Sequence, residues 1–274
     1  MNRVAFFAHF DPNNEVKPFT EVMLQHLRSV TSSVVFSSTA TLSDAEVEKV
    51  RPYAKHVFLH ENVGYDFSMW RHALENVAID DVDELILANS SVVGPVFPLA
   101  PILERMTADP CDFWGMTDSV WSCWHLQSYF IVFKKKVIAS PAFRSFWNSV
   151  LPYRNKKQVI LSYEIGLSSF LLDSGFSGRA FATVDSLETL KLSFKKRRAR
   201  NDTVHYPKEL LELGMPFVKM SVLRENPGKV NLTSLLRAMQ TAGYASTLIP
   251  YDTRPWLRRK LVAPLQSLAK RYFE

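Results

Sequence analysis

Cysteine is scarce in this sequence, and two features of exported or membrane-spanning chains are missing from it. Cys111 and Cys123 are the two cysteines among 274 residues, too few for a disulfide framework. No Cys/His spacing resembles a zinc site. The first apolar run, at 4–8, is too short for a signal peptide, and no run of about 20 apolar residues could span a bilayer. We therefore expect a cytoplasmic protein in a reducing compartment.

Positive charge is concentrated in two short runs, and the rest of the chain is mildly acidic. The net charge is +6, while residues 195–200 hold five basic residues and residues 254–274 hold six. A nucleic-acid-binding domain carries basic residues across its whole reading face. We therefore expect no nucleic-acid partner.

Strand-like and helix-like segments alternate along the first half of the chain. This alternation predicts an α/β fold with a mostly parallel central sheet and crossover helices. Ligands of such sheets bind beyond the carboxyl ends of the strands. The predicted strands lie at 4–8, 33–37, 55–59, 84–88, 112–116, 129–133 and 177–183, and the predicted helices at 16–30, 43–50, 67–77, 98–106, 141–150 and 163–173.

Two loops that follow predicted strands have the residue types of a phosphate site. The first, at 61–67, opens a helix, where Gly64 permits close approach of a ligand and free N–H groups attract an anion. Arg71 lies one turn further into that helix. The alternative is an ordinary turn capped by Asp66. The second loop, 89–91, carries short polar side chains, and its alternative is a hydrogen-bonded turn before the next helix.

The loop at 115–129 is rich in aromatic and hydrogen-bonding side chains. This mixture suits the faces and hydroxyl groups of a sugar. Because several aromatic side chains in one loop are costly to leave in water, a binding role is favoured over a partly exposed aromatic cluster. The residues concerned are Asp118, Trp121, Trp124, His125, Gln127 and Tyr129.

Glu164 is a candidate general base at the start of the helix predicted at 163–173. A carboxylate there could take the proton of a sugar hydroxyl. The alternative is a first-turn glutamate that complements the helix dipole. Farther along the chain, His205, Lys219 and Arg224 could close over a diphosphate, because cations bind phosphate through charge-assisted hydrogen bonds.

Several of these segments resemble, in the same order, the rhamnan synthesis protein F family. ENVGYDFSMW at 61–70 resembles the family's N-x-G-Y-D-F signature, and ANSSVVGP at 88–95 resembles its N-D-S-x-x-G-P segment. Further blocks are HLQSYF at 125–130, YEIGLS at 163–168 and the stretch at 216–227. The resemblance covers roughly residues 3–227.

The resemblance implies a GT-A type glycosyltransferase with a Rossmann-like nucleotide half and an acceptor half. It implies transfer of L-rhamnose from dTDP-L-rhamnose onto an O-antigen or cell-wall polysaccharide, with inversion at the anomeric carbon. Glu164 then becomes the preferred base and Asp118 its rival. Contacts to the nucleotide-sugar are expected from Asn62, Gly64, Tyr65, Asp66, Arg71, Asn89, Ser90, Ser91, His205, Lys219 and Arg224, and contacts to the sugar or acceptor from Trp121, Trp124, His125, Gln127, Tyr129 and Tyr163.

The loop at 89–91 departs from the family pattern. The family often has Asn-Asp-Ser where this chain has Asn89, Ser90 and Ser91, and serine is a poor metal ligand. Dependence on Mg²⁺ or Mn²⁺ is therefore in question. Either other groups such as Asp66 or His205 hold a divalent cation, or side-chain cations such as Arg71 and Lys219 replace it.

We expect the chain to divide into a glycosyltransferase domain at 1–228 and a C-terminal appendage at 229–274. The domain contains a nucleotide-sugar half, at about 1–110, and an acceptor half, at about 111–228. Within the appendage, leucines recur at helical spacing among basic residues between 254 and 274. This pattern predicts a basic amphipathic segment on the cytoplasmic face of the inner membrane. The alternative is a helix packed on the domain or an oligomer contact.

Two other functions remain open from the sequence. One is transfer of another sugar or a sugar phosphate on the same scaffold. The other is a non-catalytic carbohydrate-binding subunit of a polysaccharide synthesis complex. Glu164 and the aromatic loop favour an enzyme over the second alternative.

Overall fold

The computed structural model describes residues 1–183 and 201–249, and it contains one large sheet with helices on both faces. The strands are β1 (Arg3–His9), β2 (Ser33–Ser38), β3 (His56–Leu59), β4 (Glu84–Asn89), β5 (Val92–Val93), β6 (Phe113–Gly115), β7 (Asp118–Ser119), β8 (His125–Leu126), β9 (Phe130–Lys134), β10 (Gly178–Ala180) and β11 (Val218–Lys219). The helices are α1 (Pro18–Val30), α2 (Asp44–Val50), α3 (Tyr65–Asn76), α4 (Leu99–Ala108), α5 (Lys135–Ile138), α6 (Pro141–Ser149), α7 (Lys156–Val159), α8 (Gly166–Asp173), α9 (Asp202–His205), α10 (Pro207–Glu212), α11 (Met220–Arg224) and α12 (Leu232–Thr241).

The central sheet has seven strands in the order β10-β6-β9-β4-β1-β2-β3. The strands from β4 through β3 pair in parallel, as do β10 and β6, while β9 runs antiparallel between β4 and β6. The sequence therefore predicted the fold class correctly: an α/β fold with a mostly parallel central sheet flanked by helices. The carboxyl ends of β1, β2 and β4 consequently meet at one edge of the sheet.

Alternating residues of the central strands face two hydrophobic clusters, one on each side of the sheet. In β1, Ala5 and Phe7 belong to the cluster with α1, α2 and α4, whereas Phe6 and Ala8 belong to the cluster with α3, α6 and α8. Because side chains of a strand point to opposite faces in turn, burial on both faces requires a continuous apolar run. That is why the strands read as uninterrupted hydrophobic segments in the sequence.

A third cluster joins the polypeptide after residue 201 to the body. Leu235 and Met239 of α12 are buried with Val93 of β5 and Val218 of β11. The described part of the predicted appendage, 229–249, is thus packed through α12 on the β5–β11 pair. The domain boundary at 228 stays a prediction. The basic amphipathic segment predicted between 254 and 274 also stays a prediction, because residues 250–274 lie outside the described residues.

Residues 156–173 form one continuous helical stretch, in contrast to the helix predicted to start at 163. Asn155 caps it, since its side-chain oxygen accepts hydrogen bonds from the backbone N–H groups of Lys157 and Gln158. Between α7 and α8 the stretch passes through a π-helical segment, Ile160–Ile165. Glu164 therefore lies in a widened turn inside a helix and does not complement a helix N-terminus.

Membrane-spanning elements were not expected from the sequence. Within 1–183 and 201–249, no helix combines the length and hydropathy needed to cross a bilayer.

Candidate functional site

A cavity of about 750 Å³ lies at the edge where the parallel strands end. Phe10 follows β1, Thr39 follows β2 and Asn89 ends β4, and all three line the cavity. Open α/β sheets bind their ligands at this position. The predicted site residues that line it are Asn62, Gly64, Tyr65, Asp66, Asn89, Ser90, Ser91, Trp121, His125, Gln127, Tyr129, Glu164, Lys219 and Arg224.

The first wall of the cavity is the start of α3, which Gly64 makes possible. Gly64 has φ +86°, and a Cβ atom at this position would lie 2.1 Å from Ser68 Oγ and 2.9 Å from Pro152 Cα. No other residue fits there without displacing its neighbours. The first N–H groups of α3, from Tyr65 onward, have no acceptor within their own helix and carry its partial positive charge. The cavity therefore has an anion-attracting wall.

Asp66 lies on the same wall and is tied to the loop after β4. Asn89 donates a hydrogen bond through Nδ2 to Asp66 Oδ2 at 2.7 Å. The Asn89 Oδ1 atom accepts from the N–H and the hydroxyl group of Ser91, at 3.0 and 2.6 Å. Burial raises the pKa of Asp66 to about 6; the Asn89 hydrogen bond opposes this rise, and the charge of Glu164 adds to it. Asp66 is thus a carboxyl group that ionises near neutral pH.

The strand β5 comes immediately after the loop at 89–91, and β11 pairs with it. This pairing brings Lys219 of β11 to the cavity. The N–H group of Met220 donates to the carbonyl oxygen of Ser91 at 2.8 Å, which fixes this register. The Lys219 ammonium lies 5.5 Å from the centre of the Tyr129 ring. Burial lowers the pKa of Lys219, while the negative charges of Glu164 and Asp66 favour its protonated form.

Glu164 faces the cavity from the π-helical segment. Its Oε2 atom accepts a hydrogen bond from the N–H group of Ser128 at 3.0 Å and a second, short one from the Ser128 hydroxyl. Two donors on one oxygen fix the carboxylate in position. A widened π-turn is a frequent local device at functional sites because it re-aims a side chain within a helix.

The aromatic loop contributes a buried polar network to the floor of the cavity. The Gln127 side chain donates to Asn201 Oδ1 at 3.0 Å and accepts from the hydroxyl groups of Thr117 and Thr203, each at 3.0 Å. The Tyr129 hydroxyl lies 2.7 Å from Thr117 Oγ1. Because each polar group of this network has partners, the floor is rigid and its hydrogen-bonding positions are fixed.

Two residues of the expected sugar site, Trp124 and Tyr163, and the rival base Asp118 lie outside the cavity lining. Asp118 is buried, and its Oδ2 atom accepts a hydrogen bond from Trp124 Nε1 at 2.9 Å. Tyr163 is also buried, and its hydroxyl exchanges hydrogen bonds with the backbone of Leu151 at 2.6 and 3.1 Å. Asp118, Trp124 and Tyr163 are next in sequence to lining residues, so their hydrogen bonds help to hold the lining in place.

Two residues expected to bind phosphate also lie outside the lining. Arg71 pairs with Glu75 at 2.8 Å and donates to the carbonyl oxygen of Val150, so its charge faces away from the cavity. His205 directs Nδ1 at the carbonyl oxygen of Asn201, at 2.8 Å. Since α3 turns about 100° per residue, Arg71 lies on a different face from Tyr65 despite its closeness in sequence.

The cavity also contains cations that sequence reasoning missed. Arg154 and Lys156 line it from the stretch that leads into α7. Lys156 is near enough to lower the pKa of both Asp66 and Lys219 through its charge. The cap residue Asn155 was the available signal, because it marks the true start of the helix. The predicted start at 163 left these two cations in a loop.

Metal-ligating side chains are sparse around this cavity. Among residues 1–183 and 201–249, no group of three or more His, Cys, Asp or Glu side chains is arranged to hold a metal ion. Asp66 and Glu164 are the carboxylates of the expected site that line the cavity, together with Glu225, which was not predicted.

Comparison with known proteins identifies a family and distant relatives. The family model described as "Rhamnan synthesis protein F" matches residues 34–260. The uncharacterized protein y4gN of Sinorhizobium fredii is 27% identical over 187 residues, which cover 66% of this chain and 48% of y4gN. Virulence protein VirA of Vibrio anguillarum is 27% identical over 197 residues, covering 61% of this chain and 62% of VirA. The chain thus spans about half to three fifths of the length of these relatives.

The solved structures that match this chain resemble it only distantly. The glycosyltransferase GlyE of Streptococcus pneumoniae matches with a TM-score of 0.44 at 9% identity, covering 97% of this chain and 66% of GlyE. A putative nucleotide-diphospho-sugar transferase of Desulfovibrio desulfuricans matches with a TM-score of 0.38 at 16% identity, covering 77% of this chain and 94% of the other.

Proposed function

The chain belongs to the rhamnan synthesis protein F family, and from that premise we propose that it is a glycosyltransferase that uses a nucleotide-sugar donor. The specific reaction that we propose is transfer of L-rhamnose from dTDP-L-rhamnose to a bacterial surface polysaccharide. The acceptor is a polysaccharide or its lipid-linked precursor. A contact with the membrane surface through residues 254–274 is part of this proposal and lies outside the described residues.

One observation supports this function more than any other. A single cavity combines an anion-attracting helix N-terminus, the Lys219 ammonium and a fixed carboxylate, Glu164. A donor diphosphate needs the first two, because charge builds up on the leaving group as the glycosidic bond breaks. An acceptor hydroxyl needs the third, because it must lose a proton as it attacks.

In the proposed reaction, Glu164 is the general base. Ser128 holds its Oε2 atom, and the other oxygen, Oε1, takes the proton of the acceptor hydroxyl. The hydroxyl oxygen forms a bond to the anomeric carbon as the bond from that carbon to the diphosphate oxygen breaks. The nucleoside diphosphate leaves with the electron pair, and attack from the opposite face inverts the anomeric configuration, so a β-linked donor gives an α-linked product.

The experiment that tests this function is calorimetric titration with dTDP and dTDP-L-rhamnose, with UDP and GDP for comparison. We expect dTDP to bind selectively. Glu164→Gln should retain nucleotide binding and lose transfer by roughly 10²- to 10⁴-fold, the usual contribution of a general base. Glu212→Gln, in an exposed pair with Lys208, is the matched control and should leave both unchanged.

Three results would contradict parts of the proposal. Failure of all three nucleotides to bind would remove the donor site and leave a carbohydrate-binding subunit as the better reading. Selective binding of UDP or GDP would retain the enzyme class and replace rhamnose by another sugar. Unimpaired transfer by Glu164→Gln would remove Glu164 as the base.

A further inference from the structure

The loop after β4 is where a divalent cation would be expected to bridge protein and diphosphate, yet its side chains are occupied by one another. The Asn89 oxygen accepts two hydrogen bonds from Ser91, and its amide nitrogen donates to Asp66. The Ser90 hydroxyl exchanges hydrogen bonds with the backbone of Phe10, at 3.1 and 3.2 Å. Mg²⁺ and Mn²⁺ prefer carboxylate, carbonyl and water oxygens. This loop offers no carboxylate and no unengaged side-chain carbonyl oxygen.

The two carboxylates beside this loop, Asp66 and Glu164, share the cavity with the Lys219 ammonium. Asp66 and Glu164 both act on the Lys219 ammonium and favour its protonated form, and Lys219 in turn favours the ionised form of Asp66. Lys156 adds a second positive charge that is felt by both Asp66 and Lys219. Lys156 and Lys219 line the same cavity as these carboxylates, and residues 1–183 and 201–249 contain no cluster of three or more His, Cys, Asp or Glu side chains that could hold a metal. A divalent cation would be repelled by the two ammonium groups, so the residues present do not fit a divalent metal site.

The position of Lys219 is built into the fold. It is paired through the main chain with Val92, three residues after Asn89, and its side chain lies over the Tyr129 ring. Both attachments are rigid, because β5 and β11 share a hydrophobic cluster and Tyr129 is hydrogen-bonded to Thr117. An ammonium held in this way needs little reorganisation when an anion arrives.

We propose that Lys219 takes the place of a divalent cation at the donor diphosphate, with Lys156 as a second cation, so that nucleotide binding requires no metal. This inference rests on the proposed function and specifies how its donor site is neutralised. Two ammonium groups share this cavity with the start of α3, and together they match the two negative phosphate groups of a nucleoside diphosphate. Each ammonium–phosphate contact is a charge-assisted hydrogen bond.

The test is calorimetric titration of the full chain with dTDP, UDP and GDP, each in excess EDTA and again in millimolar MgCl₂ or MnCl₂. Wild type should bind its preferred nucleotide with the same Kd in all conditions. Lys219→Met, which retains the length of the side chain and removes its charge, should raise Kd by roughly 10- to 100-fold. Lys219→Arg should restore part of the affinity. Lys157→Met is the matched control, since Lys157 is exposed and lies outside the cavity lining.

The outcomes separate this inference from the function on which it rests. Binding that appears only with Mg²⁺ or Mn²⁺ would overturn the role of Lys219 and leave the glycosyltransferase intact. An unchanged Kd in Lys219→Met would do the same. If Lys219→Met fails to fold, the comparison of EDTA with metal in wild type and in Lys219→Arg still decides the question. Absence of binding in every condition would instead overturn the proposed function.

Discussion

Asp66→Asn should stabilise the protein at neutral pH and have no such effect in mild acid. The pKa of Asp66 rises from 3.8 to about 6 in the folded protein. At about 1.4 kcal/mol per pKa unit, this difference corresponds to about 3 kcal/mol. Partial exposure to solvent in the cavity reduces it to about 2–3 kcal/mol. Asparagine avoids the cost of burying this charge and can still accept the hydrogen bond from Asn89 through its carbonyl oxygen.

The direction of this pH dependence follows from the difference between the folded and unfolded pKa values of Asp66. Because the folded-state pKa is the higher one, the stabilising contribution of Asp66 is fully present below its unfolded value, near 3.8, and is lost as the pH rises through about 6. The advantage of Asp66→Asn over wild type should therefore be small near pH 4. It should grow as the pH rises through about 6 and level off above pH 7.

The assay is urea unfolding of wild type and Asp66→Asn, followed by tryptophan fluorescence, at several values between about pH 4 and pH 8. Asp80→Asn, an exposed carboxylate in the connection between α3 and β4, is the control and should show no such trend. A stability difference that is independent of pH would refute the reasoning. So would a loss of stability in Asp66→Asn at pH 8.

Two further predictions concern the support of the cavity. Gly64→Ala should destabilise the fold by more than about 2 kcal/mol, because its Cβ would overlap Ser68 Oγ. The control is Gly175→Ala, at a similar φ of +84° with no atom within 4 Å, which should cost only about 1 kcal/mol in the same urea titration. Equal costs of the two substitutions would count against the steric argument. Trp124→Phe removes the N–H group that donates to Asp118, and it should cost about 1–3 kcal/mol of stability while the Kd for the nucleotide stays unchanged. A change in Kd without a loss of stability would instead return Asp118 to the binding site.

The strands were predictable because their burial leaves a direct trace in the sequence. β1 and β4 are covered on both faces, so both read as continuous apolar runs, and their predicted positions lie within two residues of those observed. The strand β10 was predicted at 177–183, and the structure gives it three residues, Gly178–Ala180. Pairing, and not hydropathy, sets the limits of such a strand.

Several positions in the site depended on contacts between distant residues. Arg71 was predicted to contact a phosphate because it follows Gly64 closely in the sequence, yet the rotation of the helix directs the Arg71 side chain toward Glu75. The sequence predicted Trp124 as a sugar contact, and it gave no sign that the Trp124 N–H group donates to the buried Asp118. Neither outcome is visible in a motif, because each depends on a partner brought close by folding.

The sequence by itself determined the positions of the seven central-sheet strands, the two-sided burial of that sheet, and the loops in which glycine and polar residues follow a strand. These are local properties, set by side-chain hydropathy and backbone freedom. Only the tertiary structure decided which charges share a cavity. Asp66, Glu164 and Lys219 are separated by roughly 50 to 150 residues in the sequence, and they meet because parallel strands end at one edge and β11 returns to pair beside it. That return is fixed by packing of α12 and β11 against β5, a non-local contact that leaves no periodic signal in the chain.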